Sequence, residues 1–475
     1  MKVNNWYFIT ALAGLFLILA GAPLFSDGMF LDGLNNATIA RNLAEGKGGF
    51  WQLHQTDTLP TFYDHPPLSF GILALFYKVF GDSIYVERFY SLLTFIVASI
   101  LVALIWRNTA EQTYRPLFWL PIFLWVTMPK MSWAYANNMI ENTLCIFTLL
   151  AVLFVVKSVD ANRFIYLSAA GVCLFLGVLT KGPVALFPWS AFLWMWLICK
   201  KTSFKRVVSD TLILIAVTLL PFFMIYLFMP QGFESLKTYV DSQVIYSLTK
   251  RQTVSSRFYI VHRMIKELTP VLCLTLLIVS LSIKSGLRIL RRAISPRFLF
   301  FGLLALSAVI PIMVSLKQRT FYILPSLPLF ALAFANLLAP SISKLMDYID
   351  ANTNRVKRFK LICVIILIAG IIPTVLYFGD LRRQKALLSD VYAIIDVVPA
   401  GSTIGICNDM YKSWYLHGYL ARNADISLDR YNIPNRKFLL IDETVCKGFN
   451  SYLYEEVELN TTTVKLYRYK GHGKK

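Results

Sequence analysis

An α-helical polytopic membrane protein, with a small α/β domain at its C-terminal end, is the fold class this sequence predicts, on three observations. Apolar runs of the length a helix needs to cross a bilayer recur as far as Phe378. Across the 475 residues 56% are hydrophobic and 16% charged, with a mean hydropathy of +0.57, too little polar surface for a body facing water all round. Lysine and arginine gather in alternate short loops between the runs.

The first run, Trp6 to Phe25, contains Ala20-Gly21-Ala22, small enough for a cleavage site, but Pro23 directly after it opposes cleavage. It reads as an uncleaved anchor. Lys2 ahead of it sets the N-terminus on the cytoplasmic side and the loop 26–67 outside. In that loop Leu34, Ala37 and Leu43 mark an amphipathic helix over about 33–45. Pro67 to Gly81 is apolar but only about 20 Å long as a helix, and is expected to lie flat at the interface.

Further spans are predicted at 86–106, 115–128, 139–157, 164–180, 183–199, 208–229, 268–284, 298–315, 320–338 and 361–378, about 11 with the first. With that count Arg107, Arg115, Lys157, Arg163, Lys200, Lys201, Lys205 and Arg206 fall inside. So do Lys284, Arg288, Arg291, Arg292, Arg297, Arg355, Lys357, Arg358 and Lys360, leaving the external connections poorer in positive charge. The net charge of +20 (47 basic minus 27 acidic) is therefore topological, and no basic face for nucleic acid is seen.

A transmembrane catalytic domain is expected over 1–379 and a periplasmic α/β domain over 380–475. In the latter, strands are predicted at Thr403–Cys407, Phe438–Ile441 and Val464–Tyr469, and helices at about 383–397 and 411–421. Cys407 and Cys446 fall there and can pair if the domain faces an oxidising compartment, while the other five cysteines lie in apolar runs as packing residues.

The chemistry-bearing residues cluster at the outer ends of the runs. Asp32 opens the first-loop helix, either as an N-cap or as a catalytic carboxylate held at a helix start. Glu141 lies within a turn of the apolar region, where a carboxylate is costly unless it faces a polar cavity or a partner. Tyr63-Asp64-His65 precedes two prolines that stiffen the chain. Lys181 stands at a tight turn, where it snorkels to headgroups or meets a phosphate. Lys317, Arg319 and Tyr322 begin another span from the outer side, and cations there call for an anion such as a lipid phosphate. Arg251 in the 230–267 loop adds to that field.

The order Asp32 at an external helix, Tyr63-Asp64-His65-Pro66-Pro67-Leu68, Glu141, Leu179-Thr180-Lys181-Gly182-Pro183 and Lys317-Gln318-Arg319-x-x-Tyr322-Ile323-Leu324-Pro325 resembles the GT-C membrane glycosyltransferases. The branch is that of the lipid A aminoarabinose transferases and protein O-mannosyltransferase-like proteins, and the resemblance covers about residues 1–340. It implies inverting transfer of a sugar from a polyprenyl-phosphate carrier, without a nucleotide sugar. The acceptor would be lipid A, another glycan or a protein at the outer face of the cytoplasmic (inner) membrane. The family's essential first-loop acid matches Asp32, with Gly33 where many members carry Glu. Asp64-His65-Pro66 stands where aminoarabinose transferases have Glu-Lys-Pro, leaving His65 as stand-in for a phosphate-binding lysine. Glu141 stands where the later acid is usually Asp. The branch's metal-binding histidine matches nothing in 230–267, so no required metal or other cofactor is expected. Asp32 and Glu141 are expected to be catalytic. His65, Lys181, Lys317, Arg319 and Arg251 are expected to bind the donor phosphate, with Tyr63, Asp64 and Tyr322 positioning substrate.

Two rivals share this topology. A transporter or flippase should carry mid-span ionisable groups and often two related halves. An oligosaccharide ligase would use a diphosphate-linked donor.

Overall fold

The structure is a computed structural model that describes residues 3–200, 203–281, 294–430, 433, 436–446 and 452–471. Lys201, Lys284, Arg288, Arg291 and Arg292 lie outside the described residues, as does the end of the predicted span 268–284. The chain forms two compact units. One comprises Met1–Leu24, Tyr63–Ser69 and Ser91–Leu376; the other comprises Phe25–Phe62, Phe70–Tyr90 and Tyr377–Lys475. These units replace the single cut expected at 379/380: most of the first loop groups with the tail rather than with the helical body.

The first unit is helical and belongs to a multi-pass membrane protein. Among the described residues eight helical stretches are long and apolar enough to cross a membrane, where eleven were expected. One of them, Arg163–Cys199, takes in two predicted spans; Gly182, at φ +79°, separates the α-helix Arg163–Lys181 from the tighter 3₁₀ turns of Gly182–Ser190. The predicted span 115–128 holds an α-helix only at Trp119–Val126, about 12 Å long. The helix Tyr259–Leu281 takes in the described part of the predicted span 268–284. Leu68–Phe80 forms the short helix expected at 67–81.

Lipid-facing helices show their apolar side chains outward, as Leu212 and Phe223 do on Phe204–Phe228 and Leu361 and Val375 on Thr353–Leu376. Packing between spans uses small residues. Asn5–Phe16 lies against Thr353–Leu376, and a Cβ added at Gly14 would lie 2.6 Å from the Ile366 carbonyl. One added at Gly370 would lie 2.5 Å from the Gly14 oxygen, so only glycine permits this backbone approach.

The second unit holds a two-residue ribbon, β1 (Gly48–Gly49) with β2 (Gln52–Leu53), and a five-stranded mixed sheet. Its strands are β3 (Thr403–Ile406), β4 (Ser427–Asp429), β5 (Phe438–Ile441), β6 (Tyr454–Val457) and β7 (Lys465–Tyr469), ordered β4-β3-β5-β7-β6. β3 runs parallel to β4 and β5, while β7 is antiparallel to β5 and β6. Helices Lys385–Ile395 and Trp414–Ala424 supply Leu388, Val391, Leu416 and Tyr419 to its core, which also takes Met29 and Leu34 from the first loop. Cys407 and Cys446 are joined by a disulfide.

A buried charge network ties this unit together. The Arg422 guanidinium donates from Nε and Nη2 to the two Glu87 oxygens at 3.0 Å each, and from Nη1 to Asp82 at 2.7 Å. Tyr77 donates to Glu87 at 2.7 Å, and Arg41 reaches both the Arg422 carbonyl and the Asp425 carboxylate at 3.0 Å. Arg422 is 2% exposed and Glu87 1%.

Candidate active site

The helix Ile140–Lys157 places Glu141 in its first turn, and Arg163–Lys181 ends on Lys181. Both placements suit the helix dipole, which favours an anion at the N-terminus and a cation at the C-terminus. The two side chains meet: Lys181 Nζ donates to Glu141 Oε1 at 2.5 Å, with Glu141 0% and Lys181 8% exposed. The ammonium also lies 5.3 Å from the Tyr322 ring centroid, and the Tyr239 hydroxyl donates to the Lys181 carbonyl at 3.2 Å. Burial holds the Tyr239 phenol well above its ordinary pKa, so it is a donor at any working pH.

A second arm reaches the same place from the loop between the 3₁₀ turns Ile310–Val314 and Thr320–Ser326. Gln318 shapes this loop by donating to the Arg257 and Ser315 carbonyls and accepting from the Ile260 amide. Its neighbour Lys317 donates to Gln243 Oε1 at 3.0 Å, and Gln243 Nε2 donates to Asp64 Oδ1 at 2.6 Å. A neutral amide thus stands between a carboxylate and an ammonium that would otherwise pair. Gln243 itself is carried by the π-helical turn Val240–Ile245.

These groups enclose a cavity of about 500 Å³. Its charged and polar groups include Asp64, His65, Glu141, Lys181, Gln243, Lys317 and Tyr322; most of the remaining lining is apolar, including Leu144, Val184, Phe187, Leu248 and Pro311. A further cavity of about 450 Å³ shares Leu186, Phe187, Ser307 and Pro311 with it and continues along Trp189, Trp194, Leu303 and Ile310. The two cavities are neighbours, the first carrying the charged groups and the second lined mainly by apolar side chains.

The electrostatics follow from crowded cations. Burial, then the charges of Lys181 and Lys317, push the partly exposed His65 ring well below its ordinary pKa, so it is neutral near pH 7. Burial, then Arg251, pulls the Lys317 ammonium down to about 8; Asp64 opposes this, and Lys181 and Arg319 add to it. Lys317 is therefore charged below about pH 8 and loses its proton above. If it holds an anionic ligand, the apparent donor KM should rise as pH climbs from 7 to 9, and Lys317→Arg should flatten that profile. A profile of equal steepness in the arginine variant would remove Lys317 from anion binding.

Of the residues singled out from sequence, Asp64, His65, Glu141, Lys181, Lys317 and Tyr322 come together in this cavity. Arg251 and Arg319 are exposed and act on Lys317 through charge without lining the cavity, and Tyr63 belongs to the same unit without lining it. Asp32 belongs to the other unit. Its helix starts at Leu31 with Phe30, extended at φ −66° and ψ 145°, in the N-cap position. Asp32 is thus not the N-cap but lies one residue inside the first turn, where a carboxylate still favours the helix dipole. Gln243, Tyr239 and the pairing of Glu141 with Lys181 were not foreseen. The pair had a signal in two opposite charges at span ends on the same predicted side, whereas Gln243 had none. Among the described residues no group of three or more His, Cys, Asp or Glu side chains is placed to hold a metal ion.

The fold of the chain is shared with solved membrane proteins. The crystal structure of ArnT from Cupriavidus metallidurans bound to undecaprenyl phosphate superposes with a TM-score of 0.66 at 12% identity, covering 97% of each chain. The apo form of that protein gives 0.65 over the same coverage. The Archaeoglobus fulgidus oligosaccharyltransferase tethered to an acceptor peptide gives 0.50 at 12% identity, over 92% of this chain and 69% of that one. Residues 64–227 match the family described as dolichyl-phosphate-mannose-protein mannosyltransferase. Among curated proteins, none matches the sequence.

Proposed function

We propose that the protein is a hexosyl or pentosyl transferase that moves a sugar from a polyprenyl-phosphate carrier to an acceptor at the outer face of the cytoplasmic membrane, with inversion. One observation carries this reading: a cavity lined by Lys181, Lys317 and His65, with a largely apolar cavity beside it, suits a phosphate on an isoprenoid tail. The likeness to a structure holding undecaprenyl phosphate supports it. The disulfide supports an outer location for the second unit, since such bonds persist in oxidising compartments.

In the mechanism that follows, the acceptor oxygen attacks the anomeric carbon on the face opposite the phosphate. The bond from that carbon to the phosphate oxygen breaks, its electron pair leaves with the polyprenyl phosphate, and the acceptor proton passes to a base. Lys181 and Lys317 stabilise the leaving phosphate, where preorganised charge contributes most. Glu141 fixes the Lys181 ammonium, and the Gln243 amide keeps Lys317 from collapsing onto Asp64. His65, being neutral, contributes a ring N–H rather than a charge. Arg251 and Arg319 add long-range field. Asp32 serves as the general base, or orients the acceptor where that acceptor is already ionised, and Tyr63 and Tyr322 help position substrate. No metal or other cofactor takes part in this scheme.

Asp32→Asn in purified, folded protein, assayed for transfer from a polyprenyl-phosphate sugar, is expected to lose about 100-fold or more in kcat. Activity near wild type would exclude Asp32 from the mechanism. The acceptor itself would emerge from mass spectrometry of envelope lipids and glycoproteins in a deletion strain.

A further inference from the structure

Glu141 lines the cavity at 0% exposure with one oxygen, Oε1, on the Lys181 ammonium. Its other oxygen, Oε2, is buried and has no hydrogen-bond partner among the described residues. An unmade hydrogen bond at a buried carboxylate is costly, so this atom awaits a donor from a ligand. The donors a sugar brings are neutral, a hydroxyl or an amide N–H, or charged, an ammonium.

The surroundings discriminate between them. Lys181 is already 2.5 Å from the same carboxylate, and Lys317 lines the same cavity. The other carboxylate there, Asp64, accepts from the Gln243 amide. An ammonium at Oε2 would share one carboxylate with Lys181 and set two cations side by side on it, in a site walled largely by apolar groups that screen little of their repulsion. His65 reports the same field, because burial and then Lys181 and Lys317 keep its ring uncharged. A hydroxyl donates without adding charge.

We infer that the donor sugar is uncharged and that one of its hydroxyls donates to Glu141 Oε2. The inference rests on the polyprenyl-phosphate reading of this site and names the class of sugar it takes.

Binding to the purified full chain in detergent tests it with undecaprenyl phosphate alone, the same lipid carrying arabinose, glucose, mannose or galactose, and the 4-amino-4-deoxy counterpart of each. At least one neutral sugar lipid is expected to bind about tenfold tighter than the bare lipid and about tenfold tighter than its amino counterpart. Amino counterparts that match or exceed the neutral lipids would overturn the inference while leaving the donor reading intact. So would neutral lipids that bind no better than bare undecaprenyl phosphate. Binding of none of these lipids would overturn the donor reading and the inference with it. Glu141→Gln keeps a carbonyl oxygen for Lys181 but replaces the free oxygen with an amide. It is expected to shrink the preference for the sugar-bearing lipid to less than about threefold; an unchanged preference would overturn the assignment to Glu141. The wild-type ranking decides the sugar class even if the variant fails to fold.

Discussion

Glu141→Ala should abolish sugar transfer and lower stability by about 3–5 kcal/mol, the usual cost of removing one member of a buried ion pair. The carboxylate is wholly buried and holds the Lys181 ammonium, which keeps 8% exposure at the cavity wall. Without Glu141 that cation has no counter-charge at its side, and its position over Tyr322 is no longer enforced. Thermal unfolding of the detergent-solubilised protein reads the loss of stability and a transfer assay the loss of activity. The double variant Glu141→Ala/Lys181→Met separates them. It should regain much of the lost stability, because an apolar replacement of a buried pair is close to neutral, yet remain inactive. Restored transfer in the double variant would mean that neither group takes part in the reaction.

Arg422→Ala is expected to cost about as much, roughly 3–5 kcal/mol, in the second unit. It strands Glu87, which is 1% exposed, and removes the forked contact that joins it to Asp82. Lysine at this position should rescue little, since a single ammonium cannot reproduce bonds from Nε, Nη1 and Nη2 in one plane. Limited proteolysis should show faster cleavage within 377–475 in both variants. Resistance equal to wild type would show the network to be energetically idle.

Much of the architecture was legible because lipid imposes simple demands on composition. The runs at 139–157 and 208–229 correspond to Ile140–Lys157 and Phe204–Phe228, and the apolar stretch 67–81 to Leu68–Phe80. A misreading arose where length competes with hydropathy, at Trp119–Val126. In the tail, Phe438–Ile441 was plain as a buried run of four. β6 was missed because Glu455 and Glu456 are exposed on an edge strand, and β4 because three residues carry no period. The site divides along the same line. Glu141, Lys181 and Lys317 drew attention singly, because charges beside lipid need a reason. Their partners did not, since the meeting of Lys317 with Asp64 through Gln243 joins three distant segments that no local pattern links.

The contact of Gly14 with Gly370 has a bearing on biogenesis. Asn5–Phe16 is synthesised long before its partner and must wait in the bilayer until Thr353–Leu376 has been inserted. Closure of this contact thus follows the insertion of Thr353–Leu376. A chain stopped before Thr353 should leave Asn5–Phe16 against lipid, open to quality-control proteases that ignore the finished protein.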